Sequence, residues 1–413
     1  MSAKHVVSAV AFIFVLSLIS VSVILAEAVE RVIVVFDQAV NEPARDALLD
    51  KAGAESLQEL PIVHGMVVLL PPQARAKLIG TQGVIRIDED LIVEALKKPE
   101  NPGGGGKKPK PPPPVQSIPW GVDRVDADVA QADYGATGSG IKVAVMDTGI
   151  DLEHPDLSVV GGYNAINPRK SAKDDNGHGT HCAGIIAALD NDIGVVGVAP
   201  QSLLYAVKVL DRRGTGYLSD VLEGIQWCID NGIKVINMSF GAASGNDSFH
   251  QAIQVANNAG IIQVAAAGND GSQSVKYPAA YAETIAVSAT NESDQLADFS
   301  NYGPEIDFAA PGVNILSTYK GGEYKELSGT SMSTPHVSGT VVLTFQMGLV
   351  VQTGYGLQTE DDLKGEILPN LTADQRGEGL VDAEDTVNGD LPLLAPKLKV
   401  QGKLAIPWAK LKK

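Results

Sequence analysis

Five apolar runs, at 141–146, 202–210, 235–240, 261–267 and 284–289, recur along the middle of the chain with helix-like patterns between them. Continuously apolar strands that alternate with helices predict a parallel sheet covered by helices on both faces. One of those helices is explicit, because Leu218, Val221, Leu222, Ile225, Cys228 and Ile229 fall on one side at helical spacing. The chain has 413 residues and is 44% hydrophobic, enough for more than one domain. Its 43 Gly, 23 Pro and 2 Cys exclude a collagen, a disulfide-rich mini-protein and a disordered chain.

The flanking segments differ in kind. Residues 1–28 carry Lys4 and His5, an uncharged apolar run from Val6 to Leu25 and then Ala26-Glu27-Ala28, a small-x-small cleavage signature. They read as a secretory signal, although a run of this length also spans a bilayer if it is not removed. Over 29–96, β-rich runs (Arg31 to Phe36, Ile62 to Leu70, Val84 to Ile87) alternate with helix-like stretches (Asn41 to Gly53, Gln73 to Gly80), as in a small α+β unit. Residues 97–114 contain four consecutive Gly and four consecutive Pro, so they form a linker. Residues 115–390 hold 14 Lys or Arg against 36 Asp or Glu, whereas 391–413 hold six Lys and no acid. With a net charge of −17 the chain is not expected to bind nucleic acid, which rewards excess positive charge. The basic tail reads either as a surface-binding or sorting segment or as a simple chain end.

Three motifs in the acidic middle carry chemistry. Val143 to Asp147 is a buried strand ending on a carboxylate, at the edge where ligands of parallel sheets are met, although Asp there also caps loops. Gly177-His178-Gly-Thr-His181-Cys182-Ala-Gly184 opens a helical run with an imidazole near its start; the two histidines are also compatible with metal ligation, without a supporting Cys or carboxylate pair. Ser328-Gly-Thr-Ser331-Met-Ser-Thr-Pro-His336 runs from a turn into a helix, where a lone Ser is usually an N-cap. Taken together, Asp, His and Ser supply an orienter, a general base and a nucleophile, in the chain order of subtilisin.

The segments MDTGID (146–151), GHGTHCAG (177–184), AAAGND (265–270) and GTSMSTPHVSG (329–339) give the chain a resemblance to subtilisin-type serine protease precursors over roughly residues 30–390. The resemblance implies a subtilisin-like α/β catalytic domain at 115–390, preceded by a ferredoxin-like propeptide at 29–96 that acts as intramolecular chaperone and inhibitor. It assigns Asp147 to orienting the imidazole, His178 to general base and acid, Ser331 to nucleophile, and Asn269 to the oxyanion hole beside the Ser331 N–H. His181 and His336 are read as structural. Ser239-Phe240-Gly241 resembles the segment that pairs with substrate backbone, which implies broad action on proteins and peptides. Lys276 stands where many relatives have Gly at the primary pocket, with Asp270 near its rim. Lys276 there favours acidic side chains, pairs with Asp270, or is a solvated loop charge. A lipase-type reading fails because Gly329-Thr-Ser331-Met-Ser333 lacks the second Gly of G-x-S-x-G. A catalytically silent binding protein of the same fold remains the alternative, against which all four catalytic positions stand intact.

Structural calcium is implied as well. Leu189 to Val195 resembles the family's calcium loop, with ligands at Leu189, Asn191, Ile193 and Val195 and outlying ligands at Asp156 and Gln116. Such oxygens suit a hard cation. Val115 to Trp120 reads like a mature subtilisin N-terminus. Cys182 and Cys228 are expected as free buried thiols, and the enzyme as a secreted monomer. Cleavage just before Gln116 would place the bond beside Pro111 to Pro114, a poor extended substrate. The run Asp90 to Leu96 ends instead on an apolar residue, so self-cleavage is expected after Leu96, with a primary pocket that takes Leu.

Overall fold

The computed structural model describes residues 29–96, 114–349, 352–353, 356–357, 364–366 and 368–388. The signal-like segment, nearly all of the linker and the basic tail lie outside the described residues. Within them no helix is long and apolar enough to cross a membrane.

The N-terminal unit comprises β1 (Glu30–Phe36), α1 (Glu42–Ala52), β2 (Glu55–Leu60), β3 (Gly65–Leu70), α2 (Pro72–Leu78) and β4 (Val84–Glu89), with an antiparallel sheet in the order β2-β3-β1-β4. This is the ferredoxin-like arrangement. The Asn41 side chain caps α1 by accepting from Ala44 N at 3.1 Å, and Gly53 closes it in the left-handed region. Strand periodicity then divides β1 between two cores. Val32, Val34 and Phe36 pack with Leu49 of α1 and Leu78 of α2, whereas Ile33 and Val35 turn outward into the core of the larger unit. The apolar run from Ile62 is shorter as a strand than its sequence suggests, because Pro61–Val63 forms a single 3-10 turn and His64 at φ 53° redirects the chain. Strand β2, largely exposed and without apolar alternation, is absent from the sequence reading and forms by pairing with β3.

After β5 (Ile92–Ala95), the short helices α3 (Trp120–Arg124) and α4 (Ala127–Tyr134) lead into the larger unit. Its parallel strands are β6 (Lys142–Asp147), β7 (Val159–Asn164), β8 (Leu203–Lys208), β10 (Val235–Met238), β12 (Ile262–Ala266), β13 (Ile285–Thr290) and β14 (Phe308–Pro311). They form a nine-stranded sheet in which β14-β13-β12-β10-β6-β8-β7 are neighbours, closed beyond β14 by Leu380–Asp382 and the antiparallel Lys364–Glu366. All five apolar runs are strands of this sheet. Strands β7 and β14 were not legible: β7 is a half-exposed edge interrupted by Gly161 and Gly162.

Alternation again separates two cores. Val143 and Val145 of β6 pack with helices α5 (His178–Ala187) and α8 (Thr330–Gln346), while Ala144 and Met146 pack with α6 (Leu218–Asp230) and α7 (Asp247–Asn258). Helix α6 buries Leu218, Val221, Leu222, Ile225 and Cys228 of the predicted face, while Ile229 at its end is only half-buried. The N-terminal sheet lies against α6 and α7 and supplies an anion to the start of each. Asp90 accepts from Ser219 N and Oγ, both at 2.8 Å, and Asp88 accepts from Ser248 N at 3.0 Å. These contacts aim the following strand, β5, into a cleft at the carboxyl ends of the parallel strands.

Candidate active site

Asp147 is the last residue of β6 and is fully buried; Thr148 N donates to its Oδ1 at 2.6 Å. His178 is the first residue of α5, and its Nδ1 lies 2.8 and 2.9 Å from the two Asp147 oxygens. A carboxylate only accepts, so Nδ1 is the donor in this contact and Nε2 is the ring nitrogen left for another partner. The turn into α5 requires glycine: Gly177 has φ 112°, and a Cβ there would run into the Tyr319 ring. The Asp and His motifs are clamped together by Asp174, which sequence reading missed. Its buried carboxylate accepts from Thr148 Oγ1 at 2.9 Å, Gly177 N at 2.8 Å and Thr180 N at 3.0 Å.

Ser331 sits in the first turn of α8 and is wholly buried beneath β5. Its Oγ donates to Ser239 O at 2.8 Å, and His178 Nε2 has no hydrogen-bond partner among the described residues, so no serine-to-histidine bond is made in this arrangement. Asn269 completes the group. Its Oδ1 accepts from Thr330 N and Oγ1, both at 2.9 Å, which leaves the amide nitrogen facing the cleft.

The cleft is filled by the chain itself. Strand β5 pairs antiparallel on one side with β11 (Phe240–Gly241) and on the other with β9 (Thr215–Tyr217), the three forming a sheet in the order β11-β5-β9. Leu96 N donates to Ser239 O at 3.1 Å, and Ala95 N to Gly214 O at 2.9 Å. The Leu96 carbonyl oxygen accepts from Asn269 Nδ2 at 2.5 Å and from Ser331 N at 3.4 Å. Ser239, Phe240 and Gly241 face this strand: Phe240 and Gly241 pair with Ala95 and Glu94, and Ser239 O accepts from Leu96 N. The opposite wall at 214–217 was missed; its only trace in the sequence is the pair of glycines in Gly214-Thr-Gly216.

The Leu96 side chain lies against Gly241 and Lys276. A Cβ built on Gly241 would lie 3.0 Å from both Leu96 Cδ1 and Lys276 Cβ, so the leucine methyls and the lysine stem flank the same point and leave no room for a side chain. The Lys276 ammonium is turned to Asp270, Nζ to Oδ2 2.7 Å, and this contact holds the Asp270 carboxyl below its ordinary range. Of the three readings of Lys276, the structure displays the ion pair. Asn301, also missed, is buried beneath it and braces the loop by accepting from Asp270 N at 2.8 Å.

His181 and His336 do not join the site. The ring of His181 meets the carbonyls of Ile315 and Lys325 at 3.0 and 2.9 Å, that of His336 meets Met332 O at 2.9 Å, and burial lowers their pKa values to about 3 and about 4. Cys182 and Cys228 are free and buried. Burial raises the Cys182 thiol well above its usual value, so it stays protonated. Among the described residues one group has metal-ligand proximity, Asp147, His178 and Cys182, and it contains the Asp147–His178 hydrogen bond already described.

The residues read as calcium ligands are also gathered in one place. Gln116 Oε1 accepts from Asn191 N at 2.5 Å, Asn191 Nδ2 donates to Asp156 Oδ1 at 2.9 Å, and Val195 N donates to Asp156 Oδ2 at 3.0 Å. Asp156 is fully buried and forms no ion pair with a described cation, so burial pushes its pKa up to about 6. Both Asp156 oxygens accept from N–H groups in this arrangement, and a buried carboxylate beside amide side chains and a loop backbone supplies the kind of oxygen donors that a hard cation takes. Gln116, Asp156 and Asn191 with the backbone oxygens of Leu189, Ile193 and Val195 are the groups that would hold it.

The model of the subtilase family matches residues 138–368, more than half of the chain. This chain is a member of the subtilase family. The "thermostable alkaline protease" of Halalkalibacterium halodurans is 41% identical over 358 residues, 86% of this chain and 91% of that protein. "Subtilisin Savinase" of Lederbergia lenta is 47% identical over 269 residues, 65% of this chain and 98% of that one. "Subtilisin NAT" of Bacillus subtilis subsp. natto is 46% identical over 262 residues, 62% and 68% of the two chains. The subtilase described here is therefore a subtilisin-like serine endopeptidase acting on peptide and protein substrates.

Proposed function

We propose that the chain is a secreted, self-processing zymogen whose triad is Asp147, His178 and Ser331, and that residues 29–96 are its inhibitory propeptide. One observation carries this reading: the Leu96 carbonyl oxygen faces the Asn269 amide and the Ser331 N–H, the two donors that would stabilise a tetrahedral oxyanion. In the forward step Ser331 Oγ leaves Ser239 O, passes its proton to His178 Nε2 and attacks the Leu96 carbonyl carbon. The two donors stabilise the oxyanion, and Asp147 stabilises the imidazolium and holds its tautomer. His178 then protonates the departing Lys97 nitrogen, leaving an acyl-enzyme on Ser331. Water, deprotonated by His178, releases the Leu96 carboxylate, and the same proton restores the serine hydroxyl. External peptides take the place of β5, read mainly through backbone pairing with 239–241 and 214–217, with an apolar side chain in the pocket of Leu96. Calcium at the 189–195 loop would stabilise the fold.

The test is intact mass and N-terminal sequencing of the wild type beside Ser331→Ala, both made without residues 1–28. The wild type is expected to lose about 68 residues and start at Lys97, while the variant stays whole. A mature terminus within three residues of Gln116 overturns cleavage after Leu96. Two uncleaved proteins overturn self-processing.

A further inference from the structure

Two segments that flank the linker are seated at the same time in one uncleaved chain. Leu96 lies in the cleft, held by Ser239, Asn269 and Ser331. Pro114 to Ser117 are zipped onto the loop at 189–195: Gly194 N donates to Pro114 O at 2.8 Å, Gln116 N to Asp192 O at 3.2 Å and Ser117 N to Gly194 O at 3.0 Å, with bridges from Val115 to Ile193 and from Ser117 to Val195. These seats belong to opposite ends of α5. His178 opens that helix in the cleft and the loop begins two residues after Ala187 closes it. Ten helical residues span about 15 Å. One peptide step covers about 3.8 Å, so a chain in which Leu96 joined Pro114 directly could not fill both seats. Here 17 residues, 97–113, intervene. Fully extended they reach roughly 60 Å, beyond the ~50 Å diameter expected of a unit of this size.

We infer that this precursor completes its cation loop before it is cut: Gln116 takes its place at 189–195 while Leu96 still occupies the cleft, and cleavage frees a 17-residue extension, 97–113, without relocating the segment from Pro114 onward. The inference rests on Leu96 as the cut site and 189–195 as the calcium loop. It makes the linker a slack length that uncouples assembly of the loop from chemistry at Ser331. Without it, Gln116 could reach the loop only after the bond had broken.

Calcium titration of the intact, full-length Ser331→Ala chain by calorimetry tests this, read together with hydrogen exchange at 189–195. The uncleaved chain is expected to bind calcium within about threefold of the affinity of the processed wild type, with protection of 189–195 on binding. Gln116→Ala in the same uncleaved background is expected to weaken that site by tenfold or more. Removal of 97–113 from the Ser331→Ala chain is expected to abolish it and to leave 189–195 exchanging freely. Uncleaved protein that binds tenfold more weakly than the processed enzyme overturns the inference, as does a Gln116→Ala chain that binds equally well or calcium binding by neither form. If the shortened chain does not fold, the Gln116→Ala comparison decides alone. Failure of the wild type to be cut after Leu96 is seen separately by mass and sinks the processing reading, whatever calcium does.

Discussion

Asn269 is fixed at one end so that it works at the other. Because Thr330 donates twice to its Oδ1, the amide cannot turn over without losing both bonds, and its nitrogen is held toward Leu96 O before any charge develops. Asn269→Ala is expected to reduce kcat by roughly the 10²- to 10³-fold known for such a donor in subtilisin itself, with KM little changed, as steady-state kinetics on a leucyl anilide would report. The Lys276–Asp270 pair makes a separate prediction. Asp270→Asn frees the ammonium to turn into the pocket, so the preference for Glu over Leu at the cleaved position should rise about two- to fivefold, the scale of an exposed ion pair. An unchanged preference would show that the lysine head never reaches the pocket. At this scale the motifs holding Asp147, His178, Ser331 and Asn269 were legible through their resemblance to a family, and the structure gathers them around the Leu96 end of β5, with Ser331 Oγ on Ser239 O. Asp174 and Asn301 were not, since a single carboxylate or amide that serves several backbone donors leaves no spacing pattern in the chain.

Helix α6 begins between two acids, Asp90 from the N-terminal unit and its own Asp220. Burial raises the Asp220 pKa to about 6, with Asp90 adding to the shift. A carboxyl whose folded pKa lies above its unfolded value costs nothing below about pH 4, when both states are protonated. Its cost grows from pH 4 to 6 and is complete above that. Asp220→Asn in the Ser331→Ala chain is therefore expected to melt several degrees above its parent at pH 7.5, on the order of 2 kcal/mol, and together with it at pH 4 by calorimetry. Equal melting at both values would mean that Asp220 is solvated in the folded protein. Elements were legible where burial is two-sided. The five apolar runs became β6, β8, β10, β12 and β13, whereas β2, β7 and β9 owe their existence to a partner strand, which a local pattern cannot display.

For the whole molecule, calcium should appear as stability. At free calcium a thousandfold above Kd the gain is about 4 kcal/mol, near 10 °C for a unit of this size. Chelation is expected to remove that increment from the wild type, and Asp156→Asn to melt at the same temperature with and without chelator; a persisting increment would place the ion elsewhere. The division into a small α+β unit and a large α/β unit was readable from runs and composition, but their docking was not. It depends on the outward face of β1 and on two aspartates meeting two helix starts, contacts between residues more than a hundred positions apart. The seating of β5 between β11 and β9 carries a last consequence, in molecularity. On the processing proposed above, while the bond after Leu96 is whole the strand would compete with substrate at an effective concentration of order millimolar, whatever the amount of enzyme. Once that bond were cut, the same strand would become a separate ligand whose occupancy falls as the solution is diluted. A protease exported into a large volume would thus be switched on by dilution, while a crowded one stays quiet.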